Sequence, residues 1–293
     1  MKIAFIGNCQ VQSYKKISEL IVPDVEFLSF DFSKKDSRDV DIQNEFLKKI
    51  NGFDYIFMQI NNFIESGKVF EFTGQVPVKI TNFYFRGLQP EACYMGSFEK
   101  RLQFPSDYHN LVVVDSFLRG LSYEECLDSF TAENYARLGL CDAWDASLKV
   151  LEDRDKNVTF PGSHLLAEAC LEYQAFLTIN HPSINLLHSY MRGIFRELSI
   201  NFLNIEIYQS SDPLRVHDML CVSDEVADLR KLNYRTTQMW KINSLGGKYI
   251  KKEQLIAIWY KTYSNTDRSL IKIHSPGDMV SHLKINDDTK FLL

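Results

Sequence analysis

Up to residue 81, short apolar runs alternate with stretches of helical period. Residues 2–6 (KIAFI), 25–30 (VEFLSF), 53–60 (FDYIFMQI) and 76–81 (VPVKIT) have strand length and are rich in β-branched and aromatic side chains. Between the first two runs, Val11, Tyr14, Ile17, Leu20 and Ile21 fall on one helix face, and Pro23 stops that helix. Between the second and third, Phe46, Leu47 and Ile50 mark a helix over 42–50, ended by Asn51-Gly52. Strands interleaved with helices predict an α/β fold, a parallel sheet covered on both faces. In such sheets ligands sit beyond the carboxyl ends of the strands.

From about residue 108 the pattern is mostly helical. Ser122 and Glu125 have the spacing of a capping box, and Gly120 ends the helix before it. Helices are predicted over 141–151 and 165–173, the latter capped by Ser163, and again over 183–198. One strand interrupts them at 175–179 (AFLTI), followed at once by Asn180-His181-Pro182. The last third, including YIKKEQLIAIWYKTY, reads as helix and then a polar tail. The pattern divides the chain into an α/β half over 1–120, a helical region over 121–200 that returns a strand and turn to the same edge, and a helical extension over 201–293. No clean linker separates them, so one continuous domain is the alternative.

Composition narrows the class. The chain has 293 residues and a formal net charge of -5, with no basic block, which gives no support to nucleic acid as a partner. Residues 3–6 are too short for a signal peptide's apolar region, and no run approaches the roughly 20 apolar residues of a membrane span. A cytoplasmic protein is expected. The six cysteines form no CxxC pair and no HExxH is present, so no metal site is proposed and free thiols are expected.

The first strand ends in Gly7-Asn8-Cys9-Gln10, where the first helix begins. A helix N-terminus presents free N–H groups and the positive end of the dipole, which favour an anion. That field lowers a thiol pKa and suits a nucleophile or an oxyanion. Gly7 permits the tight turn, and Asn8 and Gln10 supply amides beside the Cys9 thiol. The plain alternative is a small buried cysteine in a sheet-to-helix turn. A thiol nucleophile needs a base, and His181 is the best placed histidine, between Asn180, which can orient it, and a proline that fixes the turn. Gln59 and Asn61, at the end of the third strand, are candidates to complete an oxyanion hole. The aromatic stretch 82–90 (NFYFRGLQP), with Tyr84, suits a pocket for a nucleotide or a sugar with Arg86 on a phosphate or carboxylate, the plain alternative being a loop packed by its own aromatics, and Lys15 and Lys16 are further cations for an anionic ligand.

GNCQ after the first strand, FYFRGLQP after a later one, GLSYEE in the helical region and a late TINHP together resemble the WcbI family, acetyltransferases of capsular polysaccharide biosynthesis. The resemblance covers about residues 2–198. It implies a three-layer sandwich related to the SGNH esterases and acyltransferases, coenzyme A or acetyl-CoA as co-substrate and a sugar hydroxyl as acceptor. It places Cys9 where the SGNH fold has its serine, with His181 as its partner. The family's aromatic stretch runs closer to GxHP, whereas this chain has Gln89 before Pro90, so no histidine is available there. Two other readings remain open on the same residues, a thiol esterase releasing acyl groups to water and a non-catalytic nucleotide or phosphate binder.

Overall fold

The computed structural model describes residues 1–60, 76–97 and 100–274. Its main sheet is made of β1 (Lys2–Gly7), β2 (Glu26–Asp31), β3 (Tyr55–Gln59) and β4 (Val78–Ile80). All pairings are parallel and the order is β2-β1-β3-β4, which puts the first strand in the middle. Among the described residues the α-helices are α1 (Gln10–Ile21), α2 (Val40–Ile50), α3 (Leu111–Leu118), α4 (Tyr123–Asp128), α5 (Ala132–Leu138), α6 (Ala143–Asp155), α7 (Ser163–Glu172), α8 (Ile184–Glu197), α9 (Asp224–Arg230) and α10 (Lys252–Ser264). Among the described residues, no helix is long and apolar enough to cross a membrane.

The chain divides into two compact units, one of residues 1–84, 151–169 and 180–215, the other of 85–150, 170–179 and 216–293. The first unit holds the sheet. Side chains of a strand alternate between faces, and β1 uses both. Ala4 and Ile6 join Phe30, Phe46, Ile50, Phe53 and Met58 in the core against α2. On the opposite face Phe5 stacks on Tyr14 of α1 at 6.0 Å and on Phe57 at 5.4 Å, and Phe57 meets Phe195 of α8 at 6.4 Å. Helices therefore cover both faces, as the uninterrupted apolar run of β1 predicts. At the edge Phe160 continues the sheet by a parallel bridge to Ile80. Asp155 caps the start of α7, its Oδ2 accepting the N–H groups of Gly162 at 2.9 Å and Ser163 at 2.8 Å.

The second unit is built mainly on helices. The capping box forms as expected, with the Glu125 N–H donating to Ser122 Oγ at 3.2 Å and the Ser122 N–H to Glu125 Oε2 at 2.7 Å. Helix α10 packs on α3 and α4 through Tyr263 and Tyr260, whose rings meet Phe117. The C-terminal third departs from the helical reading in two places. Residues 201–208 form neither helix nor strand, and Lys248–Lys251 form a strand antiparallel to Met239–Ile242 before α10 starts. The KYIK run has too few residues to show a period of its own, and the helix that follows masks it.

Candidate active site at the first strand-to-helix turn

Cys9 is the N-cap residue of α1, directly beyond the carboxyl end of the central strand. Side-chain amides brace the turn that carries it. Asn8 Oδ1 accepts the Gln10 N–H at 3.0 Å, and the Asn8 N–H donates to Gln59 Oε1 at 3.1 Å. Gln59 Nε2 in turn donates to Gln10 Oε1 at 2.8 Å. Gln10 Nε2 reaches the carbonyls of Phe83 at 2.7 Å and Asn180 at 3.0 Å, and Asn8 Nδ2 donates to Asn82 Oδ1 at 2.9 Å. The network ties the ends of β1, β3 and β4 to the Asn180 turn. Gly7 makes it possible, since a Cβ there would lie 2.2 Å from Gln59 Oε1.

The structure thus brings Gly7, Asn8, Cys9, Gln10, Gln59 and Asn180 together from three separate stretches of sequence. Their amide donors are spent on one another and on carbonyls, so the cluster fixes the turn rather than offering loose donors. His181 follows Asn180 and is buried at 8 % exposure, just before Ser183 caps α8. Asp212 Oδ2 accepts the Ile184 N–H at 2.9 Å while its Oδ1 accepts Ser13 Oγ–H at 3.1 Å, joining the start of α8 to α1. Asn61 lies outside the described residues.

The electrostatics of Cys9 run opposite to the expectation. Burial pushes the thiol up to about 12, and the Asp31 carboxylate adds to that rise. The backbone amides of Cys9 and Gln10 pull it back down and are outweighed. At neutral pH the residue is an S–H group. Asp31 ends β2 opposite Gly7 in the parallel register, and its Oδ1 accepts the Ser33 N–H at 2.9 Å. Sequence reasoning missed this carboxylate because the apolar run stops at Phe30. Its signal was an acidic residue at the carboxyl end of a predicted strand.

Of the cations expected to meet a ligand, Lys15 pairs with Glu19 one turn along α1. Arg86 is 2 % exposed and donates to the carbonyls of Pro90 at 3.0 Å and Ala92 at 2.6 Å, so its guanidinium shapes its own loop and presents no surface to a phosphate. Tyr84 is half-buried with the Arg154 guanidinium 5.9 Å from its ring centroid. Gln89 donates to the Phe176 carbonyl at 3.2 Å. Among the described residues no group of three or more His, Cys, Asp or Glu is placed to hold a metal ion.

A family profile described as polysaccharide biosynthesis enzyme WcbI matches residues 2–203. The chain belongs to the WcbI family. The matched span contains both the GNCQ turn and the Asn180-His181 turn. A solved structure of WcbI, described as a novel polysaccharide biosynthesis enzyme and as the native protein without a disulfide bond between coenzyme A and one of its cysteines, superposes with a TM-score of 0.70. It shares 13 % identity with this chain, and the match covers 92 % of each. That likeness establishes the α/β fold across both units. No curated protein is significantly similar to the chain. As a WcbI-family member the protein is an enzyme of polysaccharide biosynthesis.

Proposed function

We propose that the protein is an acyltransferase that moves an acetyl group from acetyl-CoA to a sugar hydroxyl of a polysaccharide precursor. The observation that carries this reading is Cys9 at the N-cap of α1, on the ligand edge of the sheet, in a turn braced by Asn8, Gln10 and Gln59. The description of the WcbI structure names coenzyme A together with a cysteine, which supports seating the thioester at this turn.

The high thiol pKa favours direct transfer. His181 takes the proton of the sugar hydroxyl, whose oxygen attacks the thioester carbonyl. The C–S bond then breaks, coenzyme A leaves as thiolate, and the proton passes to it from the imidazolium. The oxyanion forms at the N-terminus of α1, where the Cys9 N–H and the helix dipole stabilise it. Asn8, Gln10, Gln59 and Asn180 act as positioning residues. The covalent alternative has Cys9 attack the thioester and carry the acetyl group, which requires a thiolate that burial and Asp31 oppose.

Release of coenzyme A thiol from acetyl-CoA, followed with and without sugar acceptors, tests the proposal. Acceptor-dependent release with an O-acetylated product supports transfer, and release to free acetate regardless of acceptor supports the hydrolase. Cys9→Ala retaining most of the rate supports direct transfer. His181→Ala is expected to lose roughly 10²–10⁴-fold, and full retention removes the base assignment.

A further inference from the structure

The second unit buries a carboxylate for which the proposed chemistry has no use. Glu91 is 3 % exposed, and its carbonyl accepts the Leu111 N–H at 2.7 Å where α3 begins. Its Oε2 has no hydrogen-bond partner among the described residues, and the same holds for the indole N–H of Trp259, itself 2 % exposed. Both residues line one small cavity of about 10 Å³, whose wall also includes Ser223, Gln238 and Lys252. Glu225, held by Lys252 at 3.9 Å through Oε1, leaves its buried Oε2 unpartnered as well.

An unpaired donor and an unpaired acceptor on two residues that line one void call for a molecule that both accepts and donates. A metal cation cannot accept the indole N–H, and an anion would meet the Glu91 carboxylate. The volume is at the threshold of about 10–15 Å³ that one water requires. We propose that this cavity is a water site, in which one buried water accepts the Trp259 N–H and donates to the Glu91 carboxylate. The water completes the hydrogen bonding of groups whose isolation would otherwise destabilise the unit.

The water also makes Trp259 a reporter of Glu91. Burial pushes Glu91 up to about 7, helped by the charge of Glu225 and opposed by its own backbone amide, Lys252 and Arg86. Tyr135 and Cys221 are the other titratable groups in its field. When Glu91 gains its proton the water must reverse a hydrogen bond, and the indole senses the change.

The experiment is an indole ¹⁵N–¹H spectrum of the full chain, with the Trp259 resonance assigned by Trp259→Phe. A cross-peak between the Trp259 indole proton and water, with the sign of a long-lived bound molecule, is expected. Trp240, whose N–H donates to Cys221 Sγ at 3.2 Å, should show none. In the isosteric Glu91→Gln the water cross-peak persists, while the shift of Trp259 with pH near neutrality disappears. A Trp259 indole with no water cross-peak, or a pH-dependent shift that survives Glu91→Gln, overturns the proposal.

Discussion

Replacing Gly7 with alanine would place a Cβ 2.2 Å from Gln59 Oε1, 2.9 Å from Gln59 Cδ and 2.9 Å from Val11 Cγ1. No side-chain carbon survives at 2.2 Å, so Gln59 must swing away. Two hydrogen bonds then go, the one from the Asn8 N–H at 3.1 Å and the one to Gln10 Oε1 at 2.8 Å. Gln10 Oε1 keeps the Phe83 N–H at 3.3 Å, but the Asn8 amide is left without its acceptor. With about 1 kcal/mol for the lost bond to Gln10 and about 1–3 kcal/mol for the Asn8 donor left without an acceptor, Gly7→Ala should cost roughly 2–4 kcal/mol. At about 2–4 °C per kcal/mol for a domain of this size, Tm falls by roughly 4–16 °C in a calorimetric scan. A double-mutant cycle isolates the cause. In a Gln59→Ala background the added methyl no longer meets an amide, so Gly7→Ala should cost at least about 1 kcal/mol less than in the wild type. Strictly additive costs would refute the argument that Gly7 exists to admit Gln59.

Three further outcomes follow from the electrostatics. Cys9, with its thiol near 12, should react with iodoacetamide about 10³-fold slower at pH 8 than an unperturbed thiol, with a rate still climbing through pH 10 in a peptide-resolved mass measurement, and a plateau near pH 7–8 contradicts this. Asp31→Asn removes the charge that adds to the rise and should speed Cys9 labelling, whereas an unchanged rate would remove Asp31 from the account. Glu91 has its folded pKa raised from 4.5 to about 7, so its contribution to stability is full below pH 4.5 and is lost as pH rises to 7. That loss is at most about 3 kcal/mol by linkage, and Glu91→Gln should flatten the slope of urea-unfolding stability over this window.

Much of the α/β half was legible because each cue was local. The apolar run of β1, the Pro23 stop and the Ser122–Glu125 box depend on neighbours in sequence, and each forms an element in the structure. The GNCQ turn was legible for the same reason, since a strand, a glycine and a helical period adjoin there. What could not be read is the long-range pairing that gives the turn its character. The bond from Gln10 to the Asn180 carbonyl spans 170 positions, and that from Ser13 to Asp212 spans 199. Burial of the Cys9 thiol and the arrival of Asp31 beside it depend on the sheet order, so the helix-terminus argument alone predicts the wrong direction for its pKa. Arg86 shows the same limit, because a cation in an aromatic loop looks like a ligand contact until its carbonyl partners are known.

Calorimetric titration with coenzyme A and acetyl-CoA, on the wild type and on Cys9→Ala, reads whether the thioester is seated at the Cys9 turn. The account predicts saturable binding with Kd on the order of micromolar and a changed affinity or enthalpy for acetyl-CoA in Cys9→Ala. No binding of either ligand up to roughly millimolar would contradict the placement of a thioester at the Cys9 turn.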